Sequence, residues 1–279
     1  MANTPRARAL GRELRKRREA AGLTLEATAE KAQWSLAKVG RLERADQGIS
    51  EGDVATLLFA LGVSGEDREQ LLKLTRELDQ PAWWEGQRGL PNVTSALIDA
   101  ESRAERIVDL STLVVPGLLQ TRMYSEALFR ASGIRDVSSA ASARQLRQGI
   151  LTQDDPVSFT ALIDESVLQR PVGSHSIAAV QLRHVEHMAS TCENVSVYVI
   201  PTSVGAHPGM DGPYAVLHLP AATYVHAEAG NAGFLIDDET DVRPFVDTID
   251  RVRTYTLSSE PSLKTVAAYA DEHERKANE

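Results

Sequence analysis

Cysteine is nearly missing from this chain: Cys192 is the only one in 279 residues. An intramolecular disulfide is therefore impossible and a cysteine-based structural zinc site is excluded, which points to a reducing, cytoplasmic setting. Long apolar runs are missing too. Nothing approaches the stretch of about 18 apolar residues that crosses a bilayer. The N-terminal Pro5, Arg6, Arg8 and Arg12 are followed by no apolar segment of the kind a signal peptide needs. There is no internal repeat, no low-complexity tract, and no P-loop, dinucleotide fingerprint or nucleophile elbow. What remains is the composition of an ordinary globular protein, 42% apolar, 25% charged and 5% aromatic, with length enough for two domains that each bury a core.

Charge is unevenly shared. The formal net charge of −9 taken whole argues against nucleic acid. Residues 1–48, however, hold eleven Lys/Arg against six Asp/Glu, or +5, whereas the rest hold nineteen against thirty-three, or −14. A basic head on an acidic body implies two jobs in one chain.

The head reads as five short helices. Leu10, Leu14, Arg17 and Arg18 lie on a first helix that stops at Gly22, a natural C-cap. Thr24 caps a second carrying Leu25, Thr28, Ala29 and Ala32, and Ser35 caps a third after a turn of roughly three residues. Ser50 with Asp53, and Ser64 with Asp67, repeat a capping-box pattern before two further helices. Two short helices joined by a tight turn form a helix-turn-helix. Its second helix lies in the major groove with its N-terminal half against base edges, while basic flanks hold phosphates. On that helix Val39 and Leu42 face the core, and Lys38, Arg41 and Arg44 point outward. Arg12, Arg15, Lys16, Arg17 and Arg18 give the first helix a phosphate-facing surface whose affinity falls with salt.

The stretch LGRELRKRREAAGLTLEATAEKAQWSLAKVGRLERADQGIS resembles the XRE family of helix-turn-helix regulators, with the lambda-repressor-like fold, over roughly residues 8–80. The resemblance implies a DNA-binding head read through Arg12, Arg15, Arg18, Thr24, Gln33, Trp34, Ser35, Leu36, Lys38, Arg41 and Arg44, and a structural role for Glu43 at the end of the recognition helix. Three departures thin the base-reading surface. Gln33 stands where Gly is usual, so it must take an uncommon backbone conformation or reshape the turn. Leu25 stands where a phosphate-binding Gln is common, and Leu36, Ala37 and Gly40 replace residues that are often polar. Leu36 or Ala37 can instead contact thymine methyls.

Segment 80–93, QPAWWEGQRGLPNV, breaks the helical rhythm and marks a linker at 81–93, with Trp83 and Trp84 expected to pin head against body. In the body, helices are expected at 94–110, 121–131, 138–151, 176–190, 241–257 and 260–275. Strands are expected at 158–163, 195–200, 214–219 and 223–229. The fold class is therefore an all-α five-helix head at 1–80 followed by an α+β body at 94–279 with a small mixed sheet.

Chemistry in the body is sparse. Asp164 and Glu165 at a strand end, Arg170 and His207 could form an acid/base site. The preferred reading is that the carboxylates cap the next helix and pair with Arg170. His184 and His187 are spaced for a metal but have no third ligand in the sequence nearby, so they are read as a solvated helix face. The Gly- and Pro-rich 205–213 is a loop that lines a pocket or covers a sheet edge. No catalytic residue, metal or cofactor is expected.

Segments 113–131, 151–173, 194–201 and 205–219 resemble the C-terminal domain of actinobacterial XRE-type regulators. Members of that group are commonly accompanied by small proteins encoded beside them, and some are described as antitoxin-like. The resemblance implies a homodimeric, cytoplasmic regulator of double-stranded DNA whose body receives a protein or small-molecule signal. The alternative is an antitoxin-like protein that neutralises a small partner and uses DNA for autoregulation.

Overall fold

The computed structural model describes residues 5–78, 92–229 and 232–279, and the chain divides into two compact units, Met1–Leu90 and Pro91–Glu279. Trp83 and Trp84 lie outside the described residues.

The first unit contains α1 (Pro5–Ala20), α2 (Leu25–Ala32), α3 (Leu36–Glu43), α4 (Glu51–Ala60) and α5 (Gly65–Glu77). Its core is aliphatic: Leu10 and Leu14 one turn apart on α1 meet Leu42, Val54, Leu57, Leu58, Leu71 and Leu72. Chain punctuation follows local chemistry. Gly22 takes φ 67° after α1, and its N–H and that of Leu23 return to Glu19 O and Arg18 O at 2.9 and 3.1 Å, closing the helix end. The Ser50 hydroxyl accepts from Asp53 N at 3.1 Å and donates to Asp53 Oδ2 at 2.8 Å. Ser64 departs from the expected pattern. It makes no side-chain cap bond, and the Asp67 carboxylate pairs instead with Arg17 of α1 at 3.2 Å.

Gly11 sets how closely α1 approaches α3. A Cβ there would lie 2.4 Å from Glu43 O and 2.9 Å from Glu43 C, so only glycine fits. Backbone cannot move aside as a flexible side chain can. Gly11→Ala is expected to destabilise the first unit by about 1–3 kcal/mol, read as a lower urea midpoint at unchanged slope.

The second unit is a six-stranded mixed sheet in the order β3-β2-β1-β4-β5-β6 with helices around it. In chain order its elements are α6 (Asn92–Arg103), β1 (Arg106–Ser111), α7 (Arg122–Ala131), α8 (Val137–Arg147), β2 (Ser158–Asp164), α9 (Glu165–Gln169), α10 (His175–Thr191), β3 (Val195–Ile200), β4 (Tyr214–Leu219), β5 (Ala222–Ala229), β6 (Ala232–Ile236), α11 (Glu239–Arg253) and α12 (Ser259–Ala277). β1, β2 and β3 run parallel, whereas β1, β4, β5 and β6 pair antiparallel.

The expected helix at 94–110 needs correction: it stops at Arg103, and Arg106–Ser111 becomes β1, in mid-sheet. The expected helix at 138–151 likewise stops at Arg147 and continues as a short 3-10 turn, Gln148–Leu151, and that at 241–257 ends at Arg253. Along β1 the two faces differ. Val108 and Leu110 join Leu162, Val216, Val225, Val242, Ile249 and Val252 in one apolar core. Ile107 and Asp109 face the other way by strand alternation, beside Leu217 and Ala215 of β4.

Candidate functional site

The helix-turn-helix is built by two caps and one unusual backbone. The Thr24 hydroxyl accepts from Ala27 N at 3.2 Å and opens α2, and the Ser35 hydroxyl accepts from Lys38 N at 3.2 Å and opens α3. Between them Gln33 takes the left-handed conformation, φ 56° and ψ 40°, at a position that favours glycine. The N–H of Trp34 then returns to Ala29 O at 2.8 Å, so the turn keeps its shape without glycine. Ala45 repeats the device after α3 at φ 56°.

The exposed stripe of α3 is Ala37, Arg41 and Arg44, continued backwards by Gln33 and flanked by Ser35 and Leu36. Arg41 Nε donates to Gln47 at 3.0 Å and Arg44 Nε to Asp46 at 2.8 Å. Both bonds are exposed and cheap to exchange for phosphate or base contacts. Lys38, expected to point outward, is instead drawn across α3. Its ammonium lies 2.7 Å from Asp53 Oδ1 and 4.0 Å from the centre of the Trp34 ring. Burial pushes the Asp53 carboxyl up, but Lys38 and Ser50 outweigh it and hold the group below its ordinary range. Trp34 is correspondingly packed against the leucine core rather than presented.

On α1 the expected phosphate surface is partly occupied. Arg15 pairs with Glu19 at 2.8 Å, Lys16 with Glu13 at 3.3 Å and Arg17 with Asp67 at 3.2 Å. Arg18 needs correction outright. Its guanidinium is buried, donating to Glu43 at 2.7 and 3.0 Å and to Leu23 O at 3.0 Å, so it ties α1 to the end of α3 and presents nothing to a phosphate.

In the body, Asp164 and His207 do come together: His207 Nε2 is 3.1 Å from Asp164 Oδ2. Gly209 N donates to His207 Nδ1 at 3.2 Å, so the ring proton sits on Nε2 and points at the carboxylate. Asp164 also caps α9 through Ser166 N at 2.9 Å. Glu165 does not meet Arg170 as expected. Its carboxylate accepts from Thr202 N at 2.6 Å and from the Tyr269 hydroxyl at 2.9 Å, tying α9 to the end of β3 and to α12. His187 is exposed but His184 is half-buried, which holds its pKa below the ordinary value. Among the described residues no group of three or more His, Cys, Asp or Glu comes together to hold a metal.

A cavity of about 140 Å³ lies on the opposite face of the sheet, between β1, β4 and β5 and the helices α6 and α8. Its polar wall includes Glu101, Asp109, Gln120, Arg144, Arg147 and Glu228, and none of Asp164, Glu165 or His207. Arg147 grips Glu101 with two bonds of 2.7 and 2.6 Å. Arg144 reaches the neutral Gln120 Oε1 at 2.5 Å and lies 4.5 Å from the Phe129 ring centre. Burial, with Arg147 adding, pushes Arg144 down to about 10.

The segment after β1 is clamped by three side-chain amides, Gln120 and Gln181 buried and Gln148 half-buried. Gln120 donates to Val115 O at 2.7 Å, Gln148 to Gln120 O at 2.6 Å and Gln181 to Leu119 O at 2.7 Å. Asp109 accepts from the Ser111 hydroxyl at 2.7 Å, and burial, reinforced by Glu101 and Glu228, pushes it up to about 6. The folded body therefore binds this proton more tightly than the unfolded chain. Stability contributed by Asp109 is complete below about pH 4, is lost as pH rises to about 6, and is absent above it. Asp109→Asn is expected to flatten that slope and to raise body stability near neutral pH by about 2 kcal/mol, measured as melting temperature against pH for both proteins.

Sequence reasoning did not single out this cavity. The signal available was an aspartate inside an otherwise apolar strand, RIVDLS, together with Arg144 and Arg147 one turn apart.

A family model described as Helix-turn-helix domain matches residues 9–71, and one described as Domain of unknown function (DUF5753) matches residues 94–268. No curated protein and no solved structure matches the chain.

Proposed function

Because the chain belongs to the DUF5753 family and carries a helix-turn-helix domain ahead of that region, we propose that it is a sequence-specific transcriptional regulator of the XRE type, cytoplasmic and dimeric, whose body receives a signal. The observation that carries the reading is the exposed stripe of Ala37, Arg41 and Arg44 on α3, on a helix fixed at its start by the Ser35 cap and at its end by Glu43. Arg41 and Arg44 read base edges or adjacent phosphates, Leu36 and Ala37 offer apolar contact to thymine methyls, and Arg15, Lys16 and Arg17 exchange their exposed partners for phosphates. Direct readout from one such helix is thin. A dimer spanning two half-sites about 34 Å apart supplies the missing specificity.

The body is read as non-catalytic: Asp164 is spent on a helix cap, Glu165 on Thr202 and Tyr269, and His207 is buried against Asp164. The antitoxin-like alternative rests on the −14 charge outside residues 1–48. A native pull-down without a stoichiometric protein partner removes it. The regulator reading is tested by sequencing DNA cross-linked to the full chain in its own cells. A recurring two-fold-symmetric motif is expected, and recovery of sequence-random DNA overturns it.

A further inference from the structure

We propose that the cavity between the sheet and helices α6 and α8 is a receptor site for a small zwitterion of the α-amino-acid class, with the ligand carboxylate on Arg144 and its ammonium on Asp109. The proposal rests on the reading of the body as the signal-receiving part and gives that signal a chemistry.

Size is the first constraint. At about 140 Å³ the cavity is close to the 150 Å³ or so that accommodates a benzene molecule in an engineered protein core. A molecule of about six to nine non-hydrogen atoms fills that space.

Charge is the second. Of the ionisable groups on the wall, Arg147 and Glu101 satisfy each other in a two-bond fork, and Glu228 lies 3.8 Å from His226. Arg144 has no such partner. Its one hydrogen bond goes to the neutral Gln120, it forms no ion pair among the described residues, and its Nε is buried without a hydrogen-bond acceptor. Among the described residues the one hydrogen bond to the Asp109 carboxylate comes from the Ser111 hydroxyl, and Arg147 attracts it from farther off. A guanidinium and a carboxylate set apart on the wall of one cleft, each without an opposite charge in contact, are costly unless something supplies the missing partners. A simple carboxylic acid would satisfy Arg144 and leave Asp109; a simple amine would do the reverse. One small molecule bearing both charges completes both, and Leu97, Ile107, Leu118 and Leu217 offer its side chain an apolar wall.

Rigidity is the third. Gln120, which holds Arg144, is itself fixed by Val115 O at 2.7 Å and by the Ser125 hydroxyl at 3.0 Å. The surrounding turn is pinned by Gln148 and Gln181. A shell of buried and half-buried amides that orients one unpaired arginine is the construction a binding site requires.

The test is thermal denaturation of the full chain with the common α-amino acids added singly at millimolar concentration, and with acetate and methylamine as single-charge controls. At least one amino acid is expected to raise the melting temperature of the body by about 3 °C or more, while acetate and methylamine do not. Arg144→Gln and Asp109→Asn are each expected to abolish the shift. Asp109→Asn keeps the shape of the side chain, so it remains informative if Arg144→Gln fails to fold. The proposal is overturned if no amino acid shifts the wild type, if acetate alone reproduces the shift, or if the shift survives in Asp109→Asn. Such a failure accompanied by retained selection of a DNA motif removes the ligand and leaves the regulator; loss of motif selection with a retained amino-acid shift removes the regulator and leaves the site.

Discussion

Glu43→Ala destabilises the head by about 3–5 kcal/mol, because it removes both short bonds to the buried Arg18 guanidinium and leaves it only Leu23 O and, at 3.6 Å, the half-exposed Glu19 carboxylate. The two side chains are only 9% and 5% exposed, so water cannot take over from the missing carboxylate. Burial opposes the charge on Arg18, yet the Glu43 hydrogen bond outweighs it and holds the arginine pKa above its ordinary value. A unit of this size has roughly 5–15 kcal/mol in total, so the variant head is largely unfolded under mild urea. Urea titration followed by circular dichroism reads the effect directly, and motif binding is lost with it. Replacing both residues by methionine is expected to restore most of the stability, since removing the pair together leaves no lone buried charge. Equal damage from the single and double variants would show that the pair matters by shape rather than charge.

Arg147→Ala has an effect of the same order on the body, about 3–5 kcal/mol, through the mirror-image event. Glu101 on α6 is then left buried on the cavity wall without the two-bond fork that joined it to α8. The side chains are 14% and 7% exposed. A two-transition melt of the full chain separates the outcomes: the body transition moves down by about 6–15 °C while that of the head stays in place. Movement of both transitions together would show that the two units do not unfold independently.

Local chemistry makes the head readable in its sequence. Thr24, Ser35 and Ser50 cap because a short hydroxyl beside an apolar-periodic run has little else to do, and Gly22 stops α1 for the complementary reason. Gln33 marked itself as a residue in an unfavourable place, and it takes the left-handed conformation. Pairings distant in sequence were not readable. Arg18 looked like one more basic residue on a basic helix, and only the arrival of Glu43 twenty-five positions later makes it a buried anchor. Lys38 has the spacing of an outward residue, but the start of α4 brings Asp53 within 2.7 Å. β1 escaped notice because Asp109 interrupts its apolar run and only two residues separate it from α6. The cavity shares that origin, since its charged lining comes from α6, β1, α8 and β5, more than a hundred residues apart. Each contributor taken singly looks like a solvated charge.

The central claim is that the exposed stripe of α3 reads DNA, and the most direct measurement is the affinity of Arg41→Ala and Arg44→Ala for the selected motif and for an unrelated duplex at one fixed salt concentration. Each substitution is expected to weaken motif binding by about tenfold to a hundredfold, with the loss on unrelated DNA much smaller for whichever arginine reads a base. Undiminished discrimination between the two duplexes in both variants, with the head still folded, would contradict the account.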